Sequence, residues 1–290
     1  MIPSMAAFFR FSALAGSETR APIDKRCICV IEYLHKTFLC LAVRNTDEGR
    51  EYYLSMAARA KNRPAPVFSR FLNLAQQKEA EAAMKGAGCF YKLFGGAEGC
   101  ERRILGVCDE REIEESEFPL SCVCAKPRNA RFAGRLEHRD ALGSLMGLGI
   151  ERDVTGDIII RDGAAYVFCI KNMADYICGS LTKIGNTDVS AEAAAMPEGE
   201  MRKTRDVRLQ VASPRVDAVI AHLYHLSRGD AQALSRTGKV MVDDSECLRP
   251  DYTLKEGQVI SVRGYGRALY IGVEGQTKKG KSSLLIKAYS

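Results

Sequence analysis

The sequence predicts an α+β chain built from three small domains behind an N-terminal extension, and three observations carry that reading. Apolar residues recur at helical spacing in some stretches and in short strand-like runs in others, so both periodicities occur in one chain. The middle third reads strand, helix, strand, strand, helix, strand, and the last third opens with two capped helices followed by strands. The length, 290 residues, exceeds a usual single domain, and 46% hydrophobic with 27% charged residues lies in the range of soluble globular proteins. The most apolar stretch, Cys27 to Val43, is interrupted by Glu32, His35 and Lys36, so no membrane-spanning segment is expected.

Residues 1–46 differ from the rest and read as a foreign extension. Met1 to Glu18 carries small residues at Ala13 and Ala15, as before a signal cleavage site, but Arg10 falls inside what would be the apolar segment. Secretion is therefore not expected, and the composition shift near Asn45 suggests translation starting nearer Val43 or Met56 than Met1.

Residues 47–119 read as a small domain of helices and strands. Glu51 to Met84 has a helical pattern through Tyr52, Met56 and Arg59, broken at Pro64 and Pro66 and resumed by Phe71, Leu72, Ala75 and Ala80. Gly86 and Gly88 end it. Two strands, Cys89 to Phe94 and Ile104 to Cys108, flank a loop containing Gly95, Gly96 and Gly99. Those glycines fit either close approach of a partner or a plain hairpin connection.

Residues 120–205 supply strand Leu120 to Ala125, helix His138 to Leu148, strands Asp157 to Arg161 and Ala165 to Ile170, helix Ala174 to Thr182 and a last strand. Asp162-Gly163 is a hairpin signal between the two middle strands. The order β-α-β-β-α-β is that of the ferredoxin-like fold and of the RNA recognition motif. Tyr166 and Phe168 alternate on one face, where they serve either base stacking or a core.

Residues 206–290 begin with Ser213 as expected N-cap and Pro214 at the first helical position, leading Val216, Val219, Ile220 and Leu223 at i, i+3, i+4, i+7. A second helix starts at Ser227, with Asp230 three residues on, and ends at Gly238. Strands Lys239 to Val242 and Val259 to Arg263 follow. Arg215 and Arg228 then lie in first turns, where the helix dipole disfavours a positive charge. A phosphate near those helix starts would explain them, since free amides and guanidinium would act together.

The net charge of +6 is concentrated at this end: Arg202 to Ser290 holds 16 lysines and arginines against 9 carboxylates. Such asymmetry points to a polyanionic partner. The cysteines number 11, an odd count in a large chain, and are read as reduced thiols in the cytoplasm. No Cys-x-x-Cys occurs, and His222 and His225 lack a second ligand pair, so no metal site and no cofactor are expected.

Arg215, Asp217, Ser227, Arg228, Ala231, Leu234, Gly238, Val240, Val242, Pro250, Gly257, Ile260 and Val262 resemble the RNA-binding domain named for ribosomal protein S-four. Upstream, Phe71-Leu72 with Gln76, Gly95 to Glu98 with Glu101-Arg102, Glu137 to Gly143, and Gly147 to Asp153 extend the match. Over Asp47 to Ser290 the chain resembles the bacterial YlmH family. It departs from that pattern at Asn73, Leu74 and Ala75, where an Asp-Pro turn is common, and at Ser235-Arg236-Thr237, where apolar residues often occur. The resemblance implies an S-four-type domain behind an RNA-recognition-like middle domain. It also implies association with ribosomes in the rescue of large subunits that hold peptidyl-tRNA after stalling.

The expected function is therefore non-catalytic, cytoplasmic binding by a monomer to structured ribosomal RNA and tRNA on the large subunit. Arg215, Arg228, Lys239, Arg263, Arg267, Lys278, Lys279 and Lys281 are the expected phosphate contacts; Ser227 caps its helix and is placed to touch RNA as well. Arg135, His138, Arg139 and Arg152 are candidate contacts in the middle domain. A-form RNA hides its major groove, so shape and backbone should dominate recognition. Replacing Arg228 by Glu is expected to weaken ribosome association with little change in melting.

Gly275 to Ser282 matches the literal phosphate-binding-loop pattern, but Leu284 to Ile286 read as strand where that loop needs a helix. Gly134-Arg135-Leu136-Glu137 is similar to the Gly-Arg-Leu-Asp stretch of pseudouridine synthases, with Glu for the required Asp; an RNA-modifying enzyme of that type is the alternative reading. His138 with Arg139 and Asp140 is read as a polar helix start rather than a catalytic base and its orienter, and no nucleophilic triad can be assembled. A division-apparatus or membrane-surface adaptor is a second alternative; it requires a basic amphipathic helix where the tail reads as strands.

Overall fold

The computed structural model describes residues 46–129, 134–195, 204–276 and 280–289. The chain divides into units 1–44 and 45–290, and the described residues all lie in the second. The expectations for the extension, and for Lys278 and Lys279, lie outside the described residues. The architecture is mixed α+β with three antiparallel sheets.

The first sheet has the order β1-β3-β2, with β1 Val67–Leu72, β2 Phe90–Phe94 and β3 Arg103–Cys108. Helices α1 (Thr46–Ala60) and α2 (Leu74–Met84) cover one face, closing a core that includes Met56, Ala60, Leu72, Met84, Leu105 and Val107. Phe71 and Leu72, expected in a resumed helix, are strand residues. Both are buried, but on opposite faces, Leu72 in this core and Phe71 in the next, which is the alternation of an extended chain. Asn73 then starts α2 in a capping box with Gln76, so Asn73 does the work of helix initiation where the family pattern differs. The glycine loop is a hairpin connection of β2 to β3, and the space beside Gly95 is taken by Cys100 and the Arg102 carbonyl.

The second sheet has the order β5-β6-β4-β8-β7, formed by β4 Leu120–Pro127, β5 Thr155–Arg161, β6 Ala164–Ile170, β7 Lys183–Ile184 and β8 Thr187–Ala194. Asp162 and Gly163, both at positive φ, make the expected hairpin between β5 and β6. Helices α3 (His138–Gly147) and α4 (Ala174–Ser180) pack on one face through Leu145, Ile177, Val123 and Val167. The other face is not open. Phe168, Ile159 and Cys122 form a shared core with Phe71, Ile104 and Cys108 of the first domain. Phe168 is thus core rather than a stacking platform, and a Cβ on Gly156 would stand 2.6 Å from the Phe71 ring. Arg102 fixes the same junction, donating to the carbonyls of Phe71, Arg152 and Thr155 at 3.1–3.2 Å.

The third sheet runs β11-β10-β12-β13-β14-β9, from β9 Thr204–Val211, β10 Val240–Val242, β11 Ser245–Glu246, β12 Val259–Val262, β13 Gly266–Gln276 and β14 Ser282–Tyr289. Its first strand in the sequence begins at Thr204. Helices α5 (Val216–Leu223) and α6 (Arg228–Arg236) close the core over Val219, Ile220, Ala231, Ile260 and Ile286. The N-cap of α5 is Arg215, not Ser213, because Pro214 and Arg215 are held extended: the Pro214 carbonyl accepts from Leu254 and Arg215 bridges Thr253. Ser282–Tyr289 is a strand paired with β13 and β9, so no helix follows the phosphate-loop-like sequence.

The β10–β11 turn of the third sheet reaches α2, which covers the first. Asp243 and Asp244 both adopt left-handed backbone, φ 51 and 62. Such two-residue turns favour Asn-Gly, and L-residues there are strained. The carboxylates account for their retention. Asp243 accepts from the Val259 amide and Gln258 side chain of its own domain and from Lys78 of α2. Asp244 accepts the Leu74 amide at the start of α2 and pairs with Arg267, which also pairs with Glu101.

Candidate nucleic-acid interface

The polar centre of the third domain is Asp217, fully buried in the first turn of α5. Its carboxylate accepts from Arg215 at 2.9 and 3.1 Å and from Gln232 at 3.1 Å, with Arg228 at 3.4 Å. Burial alone would raise this carboxyl, but the bonds from Arg215 and Gln232 and the charges of Arg215 and Arg228 outweigh it and hold the pKa below the usual Asp value.

This corrects the reading of the first helix start. The amides of Val216 and Asp217 donate to the carbonyls of Tyr252 and Pro250, so they are not open to a phosphate, and Arg215 serves the buried carboxylate. At α6 the expectation fits better. Ser227 caps the Asp230 amide through its oxygen, and the Arg228 side chain is 62% exposed although it reaches Asp217. A Glu at 228 would therefore add a carboxylate beside a buried one and lower stability, contrary to the sequence-based expectation for that variant.

Cationic groups continue along α6. Arg236 is exposed in its last turn, Lys239 is exposed just beyond it, and the Lys239 carbonyl accepts from the amide of exposed Arg263. The structure thus brings Lys239 and Arg263 together beside the α6 C-terminus. Arg263 opens the β12–β13 turn, whose Tyr265 lies against Tyr224 with ring centroids 5.6 Å apart. Burial pushes the Tyr224 phenol to about 12, so the ring is neutral at physiological pH. Tyr265 was not among the sequence-derived candidates; the signal available was an aromatic between two glycines and between Arg263 and Arg267.

Arg267 is placed elsewhere. It is half-buried at the domain junction, engaged with Glu101 at 2.9 Å and Asp244 at 3.0 Å, so its charge joins domains in this arrangement. Lys281 is exposed immediately before β14.

In the middle domain, Arg135, His138 and Arg139 are exposed around the start of α3, and Arg139 pairs with Glu137 at 3.0 Å. Arg152 is instead folded inward, donating to Thr155 and Gly156 carbonyls at 2.9 and 2.8 Å, a role in shaping the start of β5. Glu137, the residue aligned with the pseudouridine synthase aspartate, is an exposed helix N-cap, and adjacent Leu136 is buried.

Among the described residues no group of three metal-ligating side chains converges, and no helix is long and apolar enough to cross a membrane. The described cysteines are free thiols, and burial pushes Cys122 and Cys169 to about 12, far from thiolate at neutral pH. His222 bonds the Ala218 carbonyl through Nδ1 at 2.9 Å, a helix-surface contact.

Residues 114–198 match the family model described as "Putative RNA-binding domain in YlmH". The chain is 32% identical over 218 residues to "Ribosome-associated protein quality control protein P2" of Bacillus subtilis (strain 168), covering 73% of this chain and 82% of that protein. A solved structure, "Cell division protein ylmH from Streptococcus pneumoniae", aligns at 20% identity and a TM-score of 0.46 over 54% of this chain and 94% of its own. With 32% identity spanning 82% of the Bacillus relative, the chain belongs to the YlmH family.

Proposed function

We propose that this protein is a non-catalytic, cytoplasmic RNA-binding factor of ribosome-associated quality control. It acts as a monomer on structured ribosomal RNA and tRNA of the large subunit. Family membership and the named relative support the ribosomal setting. The observation that carries the assignment to this surface is the row of exposed cations along α6, Arg228, Arg236 and Lys239, extended by Arg263. Sequestering of Asp217 beneath Arg215 leaves that row facing solvent with its net charge positive. Backbone phosphates are the anions such spaced cations suit.

The strand order of the middle sheet supports the RNA-recognition-like, ferredoxin-like arrangement read from element order. With its sheet face covered by Phe71, that domain reaches RNA by its rim, where Arg135, His138 and Arg139 lie, rather than by base stacking on strands. The αα-β element of the last domain, α5 and α6 leading into β10, supports the S-four-type reading. Exposed Lys281 is a further phosphate contact in this reading, and Lys278 and Lys279, which lie outside the described residues, are proposed contacts on their charge alone.

The test is fluorescence anisotropy with large-subunit ribosomal RNA and tRNA across a salt series. Joint replacement of Arg228, Lys239 and Arg263 by Gln should lower the slope of log affinity against log salt by roughly 0.7–0.9 per lost contact. An unchanged slope with unchanged affinity excludes this surface. Uridine isomerisation on RNA would move the assignment to an enzyme.

A further inference from the structure

We infer that the turn Arg263-Gly264-Tyr265-Gly266 is a stacking site for one unpaired nucleobase of the bound RNA; the inference rests on the RNA-binding reading and names the part of the RNA that this surface takes. Tyr265 is 47% exposed, so its ring face is open to a partner. Its position is built rather than incidental. Gly264 and Gly266 have φ of 86 and 142, backbone that side chains disfavour, and the Tyr265 amide closes the turn on the Val262 carbonyl at 3.0 Å.

The ring rests on Tyr224 in a tilted contact at 5.6 Å, and the Gly266 backbone runs beside the same tyrosine, within ordinary contact distance of its hydroxyl and Cε1. Tyr224 itself is anchored. Its ring packs against the domain core with its hydroxyl buried, so the ring face is the floor under Tyr265. The outcome is an aromatic surface held at fixed height on a rigid base.

Exposed Arg263 adjoins this ring in the chain, and exposed Lys239 is joined to Arg263 through the backbone. Aromatic faces with cations beside them take unpaired bases with their phosphates, because every base has a π-face and carries a backbone anion. A base in a continuous A-form helix is already stacked on both sides, so the site selects loops, bulges or ends. Charge complementarity therefore points to RNA with an unpaired base rather than to an apolar protein surface.

The experiment uses the full chain with a hairpin RNA whose loop carries 2-aminopurine, and an uninterrupted RNA duplex of equal length. Expected are quenching of the loop fluorophore by the native chain, and a roughly 5- to 150-fold loss of affinity for the loop RNA in Tyr265→Ala. Duplex binding and melting should be unchanged, and Tyr265→Phe should restore both quenching and affinity. If Tyr265→Ala binds both RNAs as the native chain does, the stacking site is refuted and the RNA-binding reading stands. Equal loss on both RNAs, unrestored by Phe, makes the ring a mere support of the turn and refutes it as well. Failure of the native chain to bind either RNA overturns the RNA-binding reading and the site together.

Discussion

Replacing Asp244 by Gly separates the strain in the β10–β11 turn from the docking it performs. At φ 62 Asp244 occupies backbone that costs an L-residue roughly 1 kcal/mol, and Gly removes that strain. Gly also gains freedom in the unfolded chain worth roughly 0.5–1 kcal/mol, so the two effects nearly cancel within the third domain. Between domains nothing cancels. The Leu74 amide loses its acceptor at 3.1 Å, about 1 kcal/mol, whereas the lost pair with Arg267 lies within residues 206–290 and, with both partners partly exposed, contributes about 0.5 kcal/mol there and nothing across the junction.

The docking should therefore weaken by about 1 kcal/mol, a roughly 5-fold rise in opening of the junction, while the melting midpoint moves little. Amide hydrogen exchange at Leu74 reports this directly, since its proton faces Asp244. Asp244→Asn keeps an acceptor oxygen and tolerance of positive φ, so its Leu74 exchange should lie between the native and Gly values. Unchanged Leu74 exchange in Asp244→Gly would falsify the docking account. Global destabilisation by more than about 3 kcal/mol would show that the turn holds its own domain rather than joining two.

Three further outcomes follow from the same structure. Because Asp217 has its pKa depressed in the fold, its contribution to stability is present above the unfolded value near ~4 and is lost as pH falls through the folded value. Denaturant titrations from about pH 6 to 3 should show that decline, and Asp217→Asn should flatten it and lower stability at neutral pH. Arg228→Gln should lower stability by about 1 kcal/mol or less, because Arg215 and Gln232 still serve the buried Asp217 carboxylate, while reducing RNA affinity in a salt-dependent way. Phe71→Ala, emptying a site 1% exposed between two sheets, should cost about 3–5 kcal/mol and raise exchange in both β1 and β6.

Sequence reading reached the elements whose causes are local. Ser227 with Asp230, the Asp162-Gly163 hairpin and the helical spacing of Val216 to Leu223 are each set within a few residues, and the structure has them. Phe71-Leu72 was misread because two adjacent apolar residues suit both a helix and a strand buried on both faces, and only the second domain packed against β1 separates the two. Arg215 and Arg267 illustrate a different limit. A cation in a basic segment reads as a phosphate contact until its carboxylate partner is located; Asp217 is near in sequence but its burial is not visible, and Glu101 belongs to another domain. Tyr265 escaped because an aromatic in a turn looks the same whether its ring turns inward or rests on Tyr224 in solvent.

Cosedimentation of the full chain with separated ribosomal subunits across a salt series, beside the Arg228, Lys239 and Arg263 to Gln variant, tests the central claim most directly. Salt-sensitive binding to the large subunit that the variant loses, with its melting intact, is the predicted result. Equal binding by both proteins, or preference for the small subunit, contradicts the account.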